Sequence, residues 1–230
     1  MHSVKADFWE RASEVRRYFH FVIATANGSA EIKVTTEDRD TLGIGEKDEL
    51  LKTLKASCYL LLYNLVESTM RNVVEAIFDE FRSKNVRFDD CRDEVKRLVL
   101  LNFRARNPDK LMARLTDIAC HVVTETFEAK EMFAGNIDAK EIRETADRFG
   151  FLPPPKDTGW MMRTVKNNRN DLAHGIKSFS EIGKDVTPDR LEDARKQTFV
   201  ILFLTIRNAS NYLSQQKYLA ANAGTCAAVT

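Results

Sequence analysis

The stretch from Glu46 to Arg82 constrains the fold most, because it contains neither proline nor glycine. Apolar residues recur through it at steps of one or two helical turns, as at Leu50, Leu54, Leu61, Leu65 and Val73. This spacing is the period of an α-helix that buries one side. The stretch therefore predicts one long helix at the centre of the fold.

Most of the remaining chain has the same period. Phe8, Ala12, Val15, Phe19 and Val22 share one stripe and predict a first helix that ends at Asn27-Gly28-Ser29. Turn and capping residues predict further helices over about 89–104, 108–127, 138–149, 158–174 and 187–217. Residues 30–45 read as a polar loop that has room for a short hairpin at 31–34, and no strand-rich block follows. The fold class expected is an all-α helical bundle.

The composition indicates which cellular compartment and which kinds of binding partner to expect. Hydrophobic residues form 43% of the chain, and the net charge is only +1, so polyanion binding requires a local patch. The cysteines form no CxxC pair, which favours free thiols in a reducing compartment; they are Cys58, Cys91, Cys120 and Cys226. The first residues lack the apolar core of a secretory signal, and the apolar run 199–204 is too short to cross a membrane. We therefore expect a cytoplasmic protein without a membrane partner.

Residues 156–177 carry the clearest local chemistry, with five Lys or Arg against two acids. Asn170 and His174 stand four apart and share a helix face, while the long side chain of Arg169 leans towards the same rim. His174 precedes Gly175, as at a helix end, where the helix dipole favours an imidazolium. A histidine exchanges protons near neutral pH, and an arginine holds a phosphate with two donors. Charged decoration of a helix end is the plain alternative, and no ligand spacing predicts a metal site.

The order Arg169-Asn170, three residues, then His174-Gly175 resembles the RX4–6H motif of HEPN-domain proteins. Other stretches are similar to the prokaryotic MAE-type branch of these proteins, which is associated with defence: Tyr63–Arg71, Gly135–Asp138, Phe149–Phe151 and Ser178–Gly183. The resemblance covers residues 46–219. It leaves residues 1–45 as an N-terminal helix-and-loop extension and 220–230 as a flexible tail.

The resemblance implies a HEPN-like bundle that forms a homodimer in which two motif segments meet. It implies RNA cleavage without metal or cofactor, in which the ribose 2′-hydroxyl attacks the phosphate and leaves a 2′,3′-cyclic phosphate. Arg169 would hold the phosphate, His174 would act as general base or acid, and Asn170 would orient His174 or the phosphate. A cognate antitoxin or another defence protein would be a further partner. The alternative is a non-catalytic HEPN-like module that binds RNA, a nucleotide or a protein.

Several other residues are candidates for a supporting role. Glu67 and Arg71 are spaced for a surface ion pair, although Glu67 could instead order Arg169 or assist proton transfer in the cleft. Tyr63 shares the face of Glu67 and fits either the core or the site. Lys166 and Lys177 are candidate RNA contacts on either side of the motif. For Trp160, with Met161 and Met162, the residue types favour a packing anchor over a platform for a base.

Overall fold

The computed structural model describes residues 1–31, 44–105 and 136–220, together with Val123 and Phe133. Seven α-helices lie in this part of the chain: α1 (His2–Ala26), α2 (Ile44–Ser83), α3 (Asp93–Ala105), α4 (Ala139–Phe149), α5 (Met162–Ala173), α6 (Phe179–Lys184) and α7 (Pro188–Ser214). A short 3₁₀-helix spans Phe88–Asp90. Extended pairing within the described ranges is one antiparallel bridge between Cys91 and Leu219. The all-α prediction is confirmed.

The described residues fall into two compact units. The first, here called the motif unit, joins Ala6–Ser68 with Lys156–Leu202, and the other described residues form the second unit. Long helices therefore contribute to both units, because α2 and α7 each have residues in one and in the other.

In the motif unit, helices α1, α2, α6 and α7 pack through apolar and backbone contacts. The rings of Phe8 and Phe199 meet edge to face at 6.2 Å, and the Tyr18 hydroxyl donates to the Leu54 carbonyl at 3.2 Å. The Lys55 ammonium donates to the carbonyl of Val186 at 2.8 Å. Gly183 of α6 lies directly on the α2 backbone, which brings α6 and the segment before it against α2.

The second unit has an aromatic core. Phe78, Phe149, Phe151 and Tyr212 form a chain of ring contacts, and the buried Tyr212 hydroxyl donates to the Phe149 carbonyl at 2.6 Å. Gly150 has φ +80°, the left-handed conformation of a residue that ends a helix, and this stops α4 where the sequence predicts.

Strong local signals predict their helices correctly. The stripe of α1 is buried throughout, Asp138 caps α4 with two hydrogen bonds, and Thr187 accepts from Arg190 at the start of α7. In α2 the buried positions centre on Tyr59, Tyr63 and their neighbours, whereas Leu50, Leu54 and Leu61 are half-buried. The predicted 108–127 helix, the 31–34 hairpin and the tail lie outside the described residues.

Three helix boundaries differ from the prediction, and two of them lie beside hydrogen bonds to a distant part of the chain. Helix α3 begins at Asp93 rather than at residue 89, since the Arg92 amide and the Asp90 carbonyl bond to residues 218 and 220. Helix α5 begins at Met162 rather than at residue 158, since Gly159 has φ +73°, a left-handed conformation that does not belong to an α-helix, and its amide donates to the Gln197 side chain. Helix α6 was not predicted, and α7 ends at Ser214 rather than at residue 217.

The described cysteines are free and buried, and the described helices include none with the length and apolar character to span a bilayer. Burial raises the pKa of the Cys58 thiol to about 12 and that of Cys91 to about 11. Cys120 and Cys226 lie outside the described residues.

Candidate active site on helix α5

Helix α5 ends at the predicted motif in a defined C-terminal cap. The His174 amide donates to the Asn170 carbonyl at 3.0 Å, and the Ile176 amide reaches back to Asp171 at 2.8 Å. Gly175 between them has φ +65°, which an L side chain rarely adopts. The Gly175 amide also donates to the Leu172 carbonyl at 3.2 Å, and with the Ile176 bond this forms a Schellman motif, so His174 stands at the helix C-terminus with its side chain exposed.

Arg169 points to the long helix α2. Its guanidinium lies 4.2 Å from the ring centroid of Tyr63, donates to the Asn170 side-chain oxygen at 2.9 Å, and lies 3.4 Å from the Glu67 carboxylate. The Arg169 and Glu67 side chains are 22% and 25% exposed, so their charges are partly shielded from water. The contacts with Tyr63 and Asn170 are close, whereas the Glu67 distance is long for a hydrogen bond.

Asn170 stands between the arginine and the histidine. On an ideal helix Asn170 is about 40° from His174, while Arg169 and His174 are about 140° apart. Val165 and Leu172 mark the buried face of α5, and Arg169 lies close to it. Arg169 thus occupies the packed side of the helix, His174 the exposed side, and Asn170 the rim between them.

The structure brings some supporting residues to this point and leaves others apart. Glu67 approaches Arg169 at 3.4 Å. Lys166 is half-buried one turn before Asn170. Lys177 pairs with Asp171 at 2.7 Å, which raises the lysine pKa and offsets part of its charge. Arg71 is exposed on α2 and belongs to the second unit.

Sequence reasoning missed two residues beside the site. Tyr59 precedes Tyr63 by one turn of α2 and is hydrogen-bonded to Asn168; burial raises the tyrosine pKa, and this bond opposes the rise. The four-residue series Tyr59, Tyr63, Glu67 was the available signal, because such residues share one helix face. On α5, Tyr59 interacts with Asn168, and Tyr63 and Glu67 lie against the next residue, Arg169.

The packing-anchor prediction for Trp160 is wrong, although it holds for the two methionines after it. Trp160 is 59% exposed, whereas Met161 and Met162 are buried. Within the described part of the chain, no cluster of three or more His, Cys, Asp or Glu side chains has the arrangement of a metal site.

An all-helical fold with an Arg-Asn…His-Gly segment at the end of a helix is the arrangement expected from the resemblance to HEPN-domain proteins. The chain belongs to the MAE-type HEPN family, whose model matches residues 2–218. The match thus includes α1, for which the sequence analysis identifies no motif. No curated protein and no solved structure matches the chain. HEPN domains usually act as ribonucleases or in nucleotide-related roles.

Proposed function

We propose that the protein is an endoribonuclease that cleaves RNA without a metal ion. A base removes the proton of a ribose 2′-hydroxyl, and the 2′-oxygen attacks the adjacent phosphorus. The bond from phosphorus to the 5′-oxygen breaks, and the leaving oxygen takes up a proton. The products are a 2′,3′-cyclic phosphate and a 5′-hydroxyl.

The observation that carries this proposal is the pairing of an exposed histidine with a held arginine along one helix end. His174 is accessible to substrate and is the proton carrier, either as base for the 2′-hydroxyl or as acid for the leaving oxygen. Arg169 supplies a permanent positive charge for the phosphate as its negative charge increases.

Tyr63, Glu67 and Asn170 are proposed as positioning residues for Arg169. A ring against one face of the guanidinium and acceptors at its edge restrict its rotation before substrate arrives. Restricting a catalytic group in advance lowers the cost of reaching the transition state. Lys166 and Lys177 are proposed as outer phosphate contacts.

The test is cleavage of single-stranded RNA in EDTA, with the end groups of the products identified. We expect wild-type cleavage and a loss of roughly 10²- to 10⁴-fold in His174→Ala, the range of general acid–base catalysis. His20→Ala is the matched control, since His20 is exposed on α1. Arg169→Lys keeps the charge but removes the two-point fork, so its rate should also fall.

Two results would refute the catalytic proposal. One is equal cleavage of RNA with a 2′-deoxyribose at the cut site. The other is full activity in both His174→Ala and Arg169→Ala. RNA or nucleotide binding without cleavage by the wild type would instead establish the non-catalytic module.

A homodimer that brings two motif segments together is part of the proposal. It is supported by the family resemblance and by the opposite directions of Arg169 and His174 in one chain. Mixing inactive Arg169→Ala with inactive His174→Ala should restore activity if each site takes Arg169 from one chain and His174 from its partner. No restoration, with mixed dimers shown by mass spectrometry, would place each site within one chain.

The defence or toxin role rests on the resemblance alone. Induced expression in a bacterial host should arrest growth for the wild type and not for His174→Ala at equal protein level. Growth arrest by both would separate toxicity from cleavage.

A further inference from the structure

Trp160 is held in an exposed position by its neighbours. Gly159 before it is buried, has φ +73°, and donates its amide to the Gln197 side chain at 2.9 Å. Met161 and Met162 after it are buried, and the Met162 sulfur accepts from the Thr198 hydroxyl at 3.4 Å. The chain is thus anchored to α7 on both sides of Trp160, while the indole remains 59% exposed. Large aromatic side chains usually bury most of their surface.

The exposed face of α5 leads from this tryptophan towards the motif. Arg163 and Asn167 are exposed, and with Asn170 and His174 they follow steps of four, three and four. These steps keep the four residues on one side of the helix. The rise from Arg163 to His174 is about 16 Å, since an α-helix rises about 1.5 Å per residue.

The charge of this face suits a polyanion. In residues 156–177, the basic residues near Trp160 in sequence are Lys156, Arg163 and Lys166, and the acidic residue nearest to it in sequence is Asp157. The other acid of the segment, Asp171, is paired with Lys177. Proteins that hold single-stranded nucleic acid combine a positive track with aromatic side chains on which bases stack.

We propose that Trp160 is a stacking platform for a base of single-stranded RNA, and that Arg163 contacts a phosphate between this base and the cut site. The RNA strand follows the exposed face of α5 to His174. This inference rests on the proposed ribonuclease function and adds a substrate-binding site to it. Trp160 then sets the length of RNA that the enzyme uses.

The chain has only two tryptophans, Trp9 and Trp160, which makes a direct optical test available. In a His174→Ala background, Trp9→Phe leaves Trp160 as the reporter, and Trp160→Phe leaves Trp9, which is 41% exposed on α1. The probe is an eight-nucleotide oligouridine that carries a dye, so that anisotropy reports binding separately. We expect RNA to quench the Trp160 reporter and to leave the Trp9 reporter unchanged.

Affinity and salt dependence give a second readout. Trp160→Ala should weaken oligouridine binding by roughly 5- to 100-fold, the range for loss of one stacked base. Arg163→Ala should lower the slope of log affinity against log salt by about 0.7, as expected for one phosphate contact on a single strand. Trp9→Ala is the matched control and should change neither quantity.

Cleavage kinetics connect this surface to the active site. With catalytic His174 restored, Trp160→Ala should raise KM for an eight-nucleotide RNA more than it lowers kcat. For a dinucleotide, which is too short to reach Trp160, the variant should match the wild type. A dinucleotide defect of the same size would show that the substitution disturbs α5, and would overturn the stacking role.

Other outcomes are equally decisive. Binding by anisotropy without quenching of Trp160 overturns the inference, even if cleavage is confirmed. A Trp160 emission that shifts with protein concentration in the absence of RNA assigns the residue to a protein interface instead. Quenching by RNA with no cleavage by the wild type supports the RNA surface while refuting the ribonuclease proposal.

Discussion

Replacing Gly183 with alanine should have two opposite effects on stability: alanine favours the helix, but its Cβ overpacks the contact with α2. Gly183 belongs to α6 and lies against the backbone of α2. A Cβ at this position would lie 2.0 Å from the Lys52 carbonyl oxygen and 2.5 Å from its carbonyl carbon. Non-bonded heavy atoms come to rest near 3.5–4.0 Å, so α6 would have to move away by more than about 1 Å.

The magnitudes decide which effect is larger. Alanine is favoured over glycine in a helix by about 1 kcal/mol. Overpacking typically costs 1–3 kcal/mol, and here the opposing atoms are backbone that cannot rotate aside. Moving α6 would also strain the hydrogen bond of 2.7 Å from the Ser180 hydroxyl to Glu49. We expect a net loss of about 1–2 kcal/mol, equivalent to a fall in Tm of about 2–8 °C.

The assay is urea denaturation followed by far-UV circular dichroism, with Gly45→Ala as the matched control. Gly45 lies in α2 and has nothing within 4 Å of an added Cβ, so helix propensity alone should act and the variant should gain up to about 1 kcal/mol. If Gly183→Ala gained as much stability as Gly45→Ala, the close contact of α6 with α2 would be refuted.

Three further predictions concern the cap, the core and the arginine site. Ser178→Ala removes the capping box that Ser178 and Glu181 form at α6 and should lower the free energy of unfolding by about 1 kcal/mol in urea; an unchanged midpoint would contradict the cap. Because burial raises the Cys58 pKa to about 12, the unfolded chain releases this proton first, near pH 8.5. Stability should therefore fall by about 1.4 kcal/mol per pH unit between about pH 9 and 12, and Cys58→Ala should remove this part of the slope in urea titrations. Tyr63→Leu should lower kcat for RNA cleavage by roughly 10- to 100-fold through loss of the ring beside Arg169, whereas Tyr63→Phe keeps the ring and most of the rate. If Tyr63→Leu cleaved RNA as fast as Tyr63→Phe, Tyr63 would not be a positioning residue for Arg169.

The parts of the fold that the sequence predicts are those that local chemistry decides. Gly150 ends α4 because its conformation is left-handed. Thr187 with Pro188 begins α7 because the Thr187 side chain caps the helix, and the N–H that Pro188 lacks would have no acceptor at the first helical position. Helix α6 was also open to prediction, since Ser178 and Glu181 have the spacing of a capping box.

The starts of α3 and α5 could not be predicted from local chemistry. The start of α3 lies beside hydrogen bonds to residues 218 and 220, and the turn before α5 is bound to Gln197, 38 residues after Gly159. Such a partner leaves no mark in the residues around the boundary. The exposure of Trp160 has the same origin, because that bond and the buried methionines hold the turn that carries it.

In the candidate site, the motif could be predicted from the sequence, but the directions of its side chains could not. A spacing of five puts Arg169 and His174 about 140° apart on any regular helix, so the motif alone cannot show which of them faces the protein. Helix α2 decides this: Glu67, 102 residues before Arg169, and Tyr63 hold the arginine on the packed side and leave His174 exposed. In the proposed reaction, a phosphate bound at Arg169 would therefore lie nearer to Asn170 than to the histidine of the same chain. Either the RNA would bend around Asn170 to reach His174, or a second chain would supply its own histidine, and mixing the two inactive variants would distinguish these routes.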